Sequence, residues 1–252
     1  MSLVKISIIT VCYNSSETIR DTIESVLSQS YKNIEYIVVD GASKDGTVDI
    51  ISEYKDRISK VISEPDKGIY DAMNKGVVAS TGDFVGILNS DDIFFENETI
   101  QNLVAHLKKH PYIEASYADL VFVEREHTAV VTRKYSSSGF SPWKVRFGFM
   151  VPHPTFYARR QLFEKLGSYK LGYRVSADFE LMARFFTKGV KMVRYPAVMV
   201  KMREGGISTT GFWWRVHQNF EIIRACKENG IYTNALMIAM KIPFKLASYF
   251  RR

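Results

Sequence analysis

The chain of 252 residues holds only two cysteines, Cys12 and Cys226, near its opposite ends. Neither has a metal-type spacing, which excludes a zinc site and a disulfide framework and makes a reducing, cytoplasmic setting the expectation. No apolar run approaches the roughly 20 residues of a membrane span. The opening MSLVKISIITVCY reads as a strand that starts at once, without the layout of a signal peptide. Glycine fingerprints are missing as well. No G-x-G-x-x-G follows the first apolar run and no G-x-x-x-x-G-K-[ST] occurs anywhere, so the usual dinucleotide and P-loop ways of holding phosphate are excluded. An acidic balance is also absent: 34 Lys/Arg face 27 Asp/Glu, a net charge of +7. The surplus is uneven. Nine Lys/Arg and one Glu lie between Arg133 and Arg174, and seven Lys/Arg and two Glu from Trp213 to the end. Such asymmetry suits an anionic partner (phosphates, nucleic acid or a membrane surface) or nothing beyond surface solubility.

What is present is 46% hydrophobic residues in a pattern of short apolar runs, enough for one large globular core. Lys5–Tyr13, Ile34–Val39, Val61–Ser63 and Phe84–Leu88 read as buried strands. Ile19–Leu27, Val48–Tyr54 and Ile69–Ala79 have helical spacing between them. Asn14 with Glu17 three residues on resembles a helix cap. Alternation at this pitch predicts βαβ units and a mostly parallel sheet flanked by helices, an α/β fold. Ligands of such sheets bind beyond the carboxyl ends of the strands. The residues expected there are Asn14, Asp40, Asp66 and the run Asn89-Ser90-Asp91-Asp92. Adjacent carboxylates after a buried strand repel each other, and a divalent cation with oxygen ligands, Mg²⁺ or Mn²⁺, relieves that. Asp91 or Asp92 as a simple cap of the next helix is the competing explanation. A nucleotide with a metal-bound diphosphate accounts for all four exits together.

With these residues in view, Asp40–Thr47 (DGASKDGT), Asp66–Gly76 (DKGIYDAMNKG) and Leu88–Asp92 (LNSDD) resemble the nucleotide-sugar half of family 2 glycosyltransferases of the GT-A fold. The resemblance runs from about Val4 to the Gly205–Ser208 loop. It implies an inverting hexosyl or N-acetylhexosaminyl transferase of bacterial surface polysaccharides (exopolysaccharide, O-antigen, capsule) and a divalent metal. The implied donor is a nucleotide-diphosphate sugar, a UDP-sugar first. The implied acceptor is a saccharide or an undecaprenyl-diphosphate-linked one, met at the inner membrane face. Carried over by position, Thr10, Cys12, Tyr13, Asn14, Asp40, Asp66, Lys67, Asn74, Asn89 and Ser90 are expected at the nucleotide sugar. Asn89-Ser90-Asp91 occupies the D-x-D motif, with Asn89 in place of its first aspartate, Asp91 the metal ligand and Asp92 a second ligand or support. Ala177-Asp178-Phe179-Glu180 fits the segment that carries the general base, so Asp178 is expected in that role and Glu180 as its fallback. His153, Trp143 and Glu180 are assigned to the acceptor side. Arg203–Thr210 is similar to the family's mobile lid. Trp213-Trp214-Arg215 lacks the Q-x-x-R-W of processive members, which implies single additions.

The implied organisation is a catalytic unit, residues 1–210, and a C-terminal helical extension, 211–252. The catalytic unit divides into a nucleotide-sugar half, 1–95, and an acceptor half, 96–210, the latter with a small antiparallel sheet. The last helix, Tyr232–Phe250, mixes apolar and basic residues, which suits an anionic membrane surface or packing on the catalytic unit. Two other functions compete: a nucleotidyltransferase of sugar phosphates, which lacks its basic glycine loop here, and a nucleic-acid-binding module built on Ser136–Arg160. Acidic strand exits argue against nucleic acid as a partner.

Overall fold

The computed structural model describes residues 3–205 and 212–241, without the side chains of 212, 213 and 215. Of the expected lid, Arg203–Thr210, residues 206–210 lie outside the described residues, as does the helix beyond 241.

The first half is built as its periodicity predicts. Strands β1 (Ile6–Cys12), β2 (Ile34–Asp40), β3 (Lys60–Ser63) and β4 (Phe84–Ile87) pair in parallel in the order β3-β2-β1-β4. Helices α1 (Ile19–Leu27), α2 (Thr47–Glu53) and α3 (Ile69–Ala79) make the crossovers. Every residue of β1 is buried, because both faces are covered. Alternate side chains feed two cores: Ile9, Val11, Ile37 and Val39 on one face, Ile6, Ile8, Tyr36 and Val38 on the other. Two glycines permit close approach. A Cβ on Gly76 of α3 would stand 2.4 Å from the Ile9 side chain, and one on Gly86 of β4 2.3 Å from the Tyr157 ring.

After β4 the chain runs through β5 (Asp92–Phe94), α4 (Thr99–Lys109), β6 (Ala115–Val123) and β7 (Val131–Tyr135). It continues through β8 (Tyr157–Arg159), α5 (Arg160–Leu166), α6 (Ala177–Thr187) and β9 (Met192–Arg203). Two short 3₁₀ turns, Pro142–Phe147 and His153–Thr155, precede β8, while α7 (Phe212–Glu228) and α8 (Ala235–Ala239) close the described chain. The acceptor-side strands extend the same sheet. β8 adds antiparallel to β4, and the order continues β8-β6-β9-β5 with β7 beside β6. β6 and β7 are antiparallel as expected, but β6 and β9 run parallel. β9 is one long strand, whose pairing slips near Pro196. Asn14 caps no helix: Thr18 precedes α1, and Asn14 adopts φ 50° in the loop before it.

Candidate active site

The carboxyl ends of β1, β2 and β4 deliver three loops to one place. Asn14 and Ala42, with φ of 50° and 61°, are the non-glycine residues in the left-handed region among those described, and both lie in these loops. Such strain concentrates at functional sites. Hydrogen bonds lock the loops together. The Asn14 amide donates to Ser43 Oγ (2.8 Å), the Lys44 amide to Asn14 Oδ1 (2.9 Å), and the Ser15 and Ser90 hydroxyls are 2.9 Å apart. Tyr13 is 59% exposed beside Gly41, where the Asp66 carboxylate also rests. A flat ring, a bare backbone and a carboxylate therefore converge at the exits of β1 and β2. Lys67 is exposed next to them.

Several residues expected at the nucleotide sugar do not face this space. Thr10 is fully buried and accepts the Tyr36 hydroxyl (3.1 Å), so it braces the sheet. Cys12 lies under the floor with its thiol toward the Val39 carbonyl and Asp40, and burial, with the Asp40 charge, pushes its pKa up. Asn74 is engaged at both ends of its amide by the backbone of Tyr169 (2.8 and 2.9 Å), which ties α3 to the segment before α6. Asp40 is also fully covered: Ser63 and Ser43 donate to its carboxylate (2.7 and 2.5 Å), so a nucleobase reaching it has to displace the Ser43 hydroxyl.

The Asn89–Asp92 run differs in kind. Asp92 opens β5 instead of capping α4, and it is fully buried. One oxygen accepts from Asn89 Nδ2 (3.1 Å), whereas the other, and the side-chain Oδ1 of Asn89, are buried with no partner. Burial raises the pKa of both carboxyls, and the neighbouring Asp91 charge raises that of Asp92 further. Buried Arg203 donates to the Asp91 carbonyl (2.9 Å) and pairs with Asp21, which fixes the turn. Orphaned oxygens beside two carboxyls that resist ionisation are what a bound cation resolves. No cluster of three or more His, Cys, Asp or Glu side chains able to hold a metal occurs among the described residues. Asn89, Asp91 and Asp92 are the oxygen donors here that could hold a Mg²⁺- or Mn²⁺-like ion completed by substrate phosphates.

Asp178 sits in the first turn of α6. Its Oδ1 accepts from the Phe179 amide (2.8 Å) and, more weakly, from the Tyr70 hydroxyl (3.4 Å). Burial raises its pKa, opposed by the nearby His153. Tyr70 and Tyr169 stack, and Tyr169 shares a 2.8 Å hydrogen bond with buried His153. Tyr70 lies four residues after Asp66, so the start of α3 spans from the nucleotide-side loop to the base. Sequence reasoning missed Tyr70, although it stands inside the DKGIYDAMNKG segment, and missed Glu221. The Glu221 carboxylate accepts the amides of Arg174, Val175 and Ser176 (2.6–2.8 Å), holding the residues just ahead of Asp178. Nothing local to its position signals that role.

Two acceptor-side expectations are corrected. Glu180 is fully buried and paired with Arg184 and Lys170 (2.9 Å each), so it neither serves as a fallback base nor meets an acceptor. Trp143 shares a recess with Phe186 and Thr187 of the last turn of α6, about 12 Å along the helix from Asp178. His153 is buried near Asp178, so it offers no open surface to an acceptor.

The family model described as glycosyl transferase family 2 matches residues 7–167. The chain belongs to this family. The chain is similar to the PGL/p-HBAD biosynthesis glycosyltransferase of Mycobacterium bovis (strain BCG / Pasteur 1173P2), 29% identical over 81% of this chain and 79% of that protein. The putative glycosyltransferase EpsE of Bacillus subtilis (strain 168) is 29% identical over 88% of this chain and 82% of its own length. Among solved structures, S. aureus TarS 1-349 in complex with UDP-GlcNAc superposes with a TM-score of 0.70 at 17% identity, over 88% of this chain and 66% of that one. The mannosyltransferase PcManGT from Pyrobaculum calidifontis, in complex with GDP-Man and Mn2+, gives 0.69 at 19% identity, over 99% and 70%. This family 2 glycosyltransferase thus has the GT-A fold. Membership sets aside the nucleotidyltransferase and nucleic-acid readings.

Proposed function

We propose that this glycosyltransferase is an inverting, metal-dependent, non-processive enzyme of bacterial surface polysaccharide synthesis. It moves a sugar from a nucleotide-diphosphate sugar to a saccharide or lipid-linked saccharide. The observation that carries the reading is the presence of two carboxyl sites of opposite task, one at the exit of β4 and one at the start of α6. Asn89–Asp92 has unmatched buried oxygens that call for a cation, and Asp178 keeps partial solvent access with a raised pKa suited to a base. Complexes of relatives with UDP-GlcNAc and with GDP-Man and Mn2+ support the donor class.

Tyr13, Asp66 and Lys67 receive the nucleotide, with Asp40 reached only past Ser43. Asn89, Ser90 and Asp91 face the diphosphate, with Asp92 buried behind them. A divalent cation bound there supplies electrostatic stabilisation of the departing diphosphate. Asp178 takes the proton of the acceptor hydroxyl. The Phe179 amide and the Tyr70 hydroxyl both hold Oδ1, which orients Oδ2 toward that proton. The freed acceptor oxygen attacks the anomeric carbon from the face opposite the nucleotide. His153 and Tyr169, hydrogen-bonded to each other, pack near the base and hold its setting fixed. A lipid-diphosphate acceptor places the work at the cytoplasmic face of a membrane.

The test is a titration of UDP- and GDP-sugars against the protein with and without Mn²⁺, read by calorimetry. One donor class binds with Mn²⁺ enhancement in the wild type. Asp91→Ala loses that enhancement and weakens donor binding by about tenfold or more. If no nucleotide sugar binds under either condition, the reading fails.

A further inference from the structure

The 3₁₀ turn Pro142–Phe147 and the α7–α8 connection form a surface that the proposed catalysis does not use. Trp143 is 58% exposed, Tyr232 72%, Leu236 75% and Met240 50%. These are not scattered. Trp143 lines two adjoining recesses: one of about 350 Å³ with Phe140, Phe147 and Met240, the other of about 310 Å³ with Arg146 and Tyr232. Leu236 of α8 and Met240, which caps its end in helical geometry, are four apart and share its outer side, because Ile238 points inward toward Gly148. The Thr233 hydroxyl donates to the Arg146 carbonyl (2.5 Å), fixing α8 to the turn. The charge of the patch has one sign. Lys144 lies over the Trp143 ring (5.8 Å), Arg146 is exposed, and neither recess is lined by an Asp or Glu. Exposed Trp and Tyr beside aliphatic tips and cations are the chemistry of the membrane–water interface, where rings sit at headgroup level and Lys and Arg meet anionic lipid.

We propose that the Trp143–Tyr232–Leu236–Met240 face, with Lys144 and Arg146, docks the protein on an anionic phospholipid surface. It rests on and deepens the reading of a lipid-linked acceptor, since it would hold the enzyme at a membrane, yet docking is measurable without turnover. No helix among the described residues is long and apolar enough to cross a membrane, so attachment through this face is peripheral.

The experiment is cosedimentation of the full chain with vesicles of phosphatidylcholine alone or mixed with phosphatidylglycerol, at low and high salt. The wild type binds the mixed vesicles, not phosphatidylcholine alone, and salt weakens binding. Arg146→Glu and Leu236→Asp each weaken binding about tenfold or more. Lys55→Glu, the same charge change on the exposed connection between α2 and β3, leaves it within about twofold. Thermal melting and donor titration of each variant, at wild-type values, show that the fold and the donor site are intact. Absence of binding to the mixed vesicles overturns the proposal. So does equal weakening by Lys55→Glu, which would mean attraction by net charge alone, or undiminished binding of both face variants. Self-association abolished by Leu236→Asp, without vesicle binding, would assign the face to a second copy and also overturn it. Loss of turnover with intact docking would count against the catalytic reading instead.

Discussion

Asp178 and Asp92 are both carboxyls pushed up by burial, but their surroundings set them to different tasks. Asp92 has an orphaned oxygen and a like charge next door, which a cation resolves. Asp178 has His153 nearby and two donors on one oxygen, which leaves a base poised to take a proton. Asp178→Asn should therefore lower kcat by about 10²–10⁴-fold while donor affinity is kept. Turnover at near-normal rate in a steady-state assay would remove Asp178 from the base role. The pH dependence has a definite sign. A base works ionised, so turnover falls as pH drops through the raised pKa, and the acid limb of kcat should lie above the ordinary aspartate value of 3.8. The same shift means that ionised Asp178 costs folding stability above that value. Asp178→Asn should accordingly leave the melting temperature at neutral pH unchanged or higher. These residues could be singled out in the sequence because each sits in a contiguous run, LNSDD or ADFE, whose chemistry is local. Thr10, Asn74 and Glu180 were misread because their partners Tyr36, Tyr169 and Arg184 with Lys170 meet them only through the fold, and no spacing reveals which side of a strand or helix is already engaged.

At the scale of elements, the start of α6 is held from outside. Ser176 precedes the helix without a side-chain cap bond, and the buried Glu221 of α7 gathers three successive amides instead. Glu221→Gln leaves one acceptor oxygen for three donors, and Glu221→Ala leaves none. Displacing a catalytic group by about 1 Å can cost 100-fold. We expect kcat at saturating donor to fall about 10- to 100-fold, Ala below Gln, with the donor dissociation constant unchanged because its loops stand on β1, β2 and β4. Parallel loss of donor affinity would reduce Glu221 to a general fold contact. Glu35 of β2 plays a comparable part on the first sheet half. Burial alone would raise its pKa, but donors from Ser7, Thr81 and Lys5 outweigh that and bring it to about 2, below the unfolded 4.5. Its contribution is present above about pH 4.5 and is lost as pH falls toward 2. Glu35→Gln should cost about 1–3 kcal/mol at neutral pH and flatten that acid limb, as denaturant melts at several pH values would show. Elements themselves were legible wherever periodicity was strong, as in β1 and α4. Pairing partners were not: whether β9 is one strand or two, and whether it runs parallel to β6, is decided by what lies beside it.

For the whole molecule, the two halves anticipated from the change of pattern after Asp92 share one sheet, joined where β8 adds to β4. The C-terminal helices belong to the same body. Ile222, Ala225 and Cys226 of α7 are buried in the core that also contains Ile9, Tyr70 and Phe179. The boundary near residue 210 thus separates stretches of sequence, not independent cores. A magnitude decides what its loss would do. Baring the face under Ile222 alone costs about 1.5–3 kcal/mol. Three amides losing a charged acceptor cost about 1.5–3 kcal/mol each. Their sum is comparable with the roughly 5–15 kcal/mol that keeps a domain folded. A chain ending at Gly205 should therefore show no cooperative thermal transition by circular dichroism, whereas the full chain should melt in one step that moves as a whole when donor and Mn²⁺ are added. At a donor concentration about 100 times its dissociation constant the gain is about 2.7 kcal/mol, or roughly 5–10 °C for a chain of this size. A shortened chain that melts cooperatively within a few degrees of the full one would make α7 and α8 an appendage, and Glu221 would then have no hold on the base.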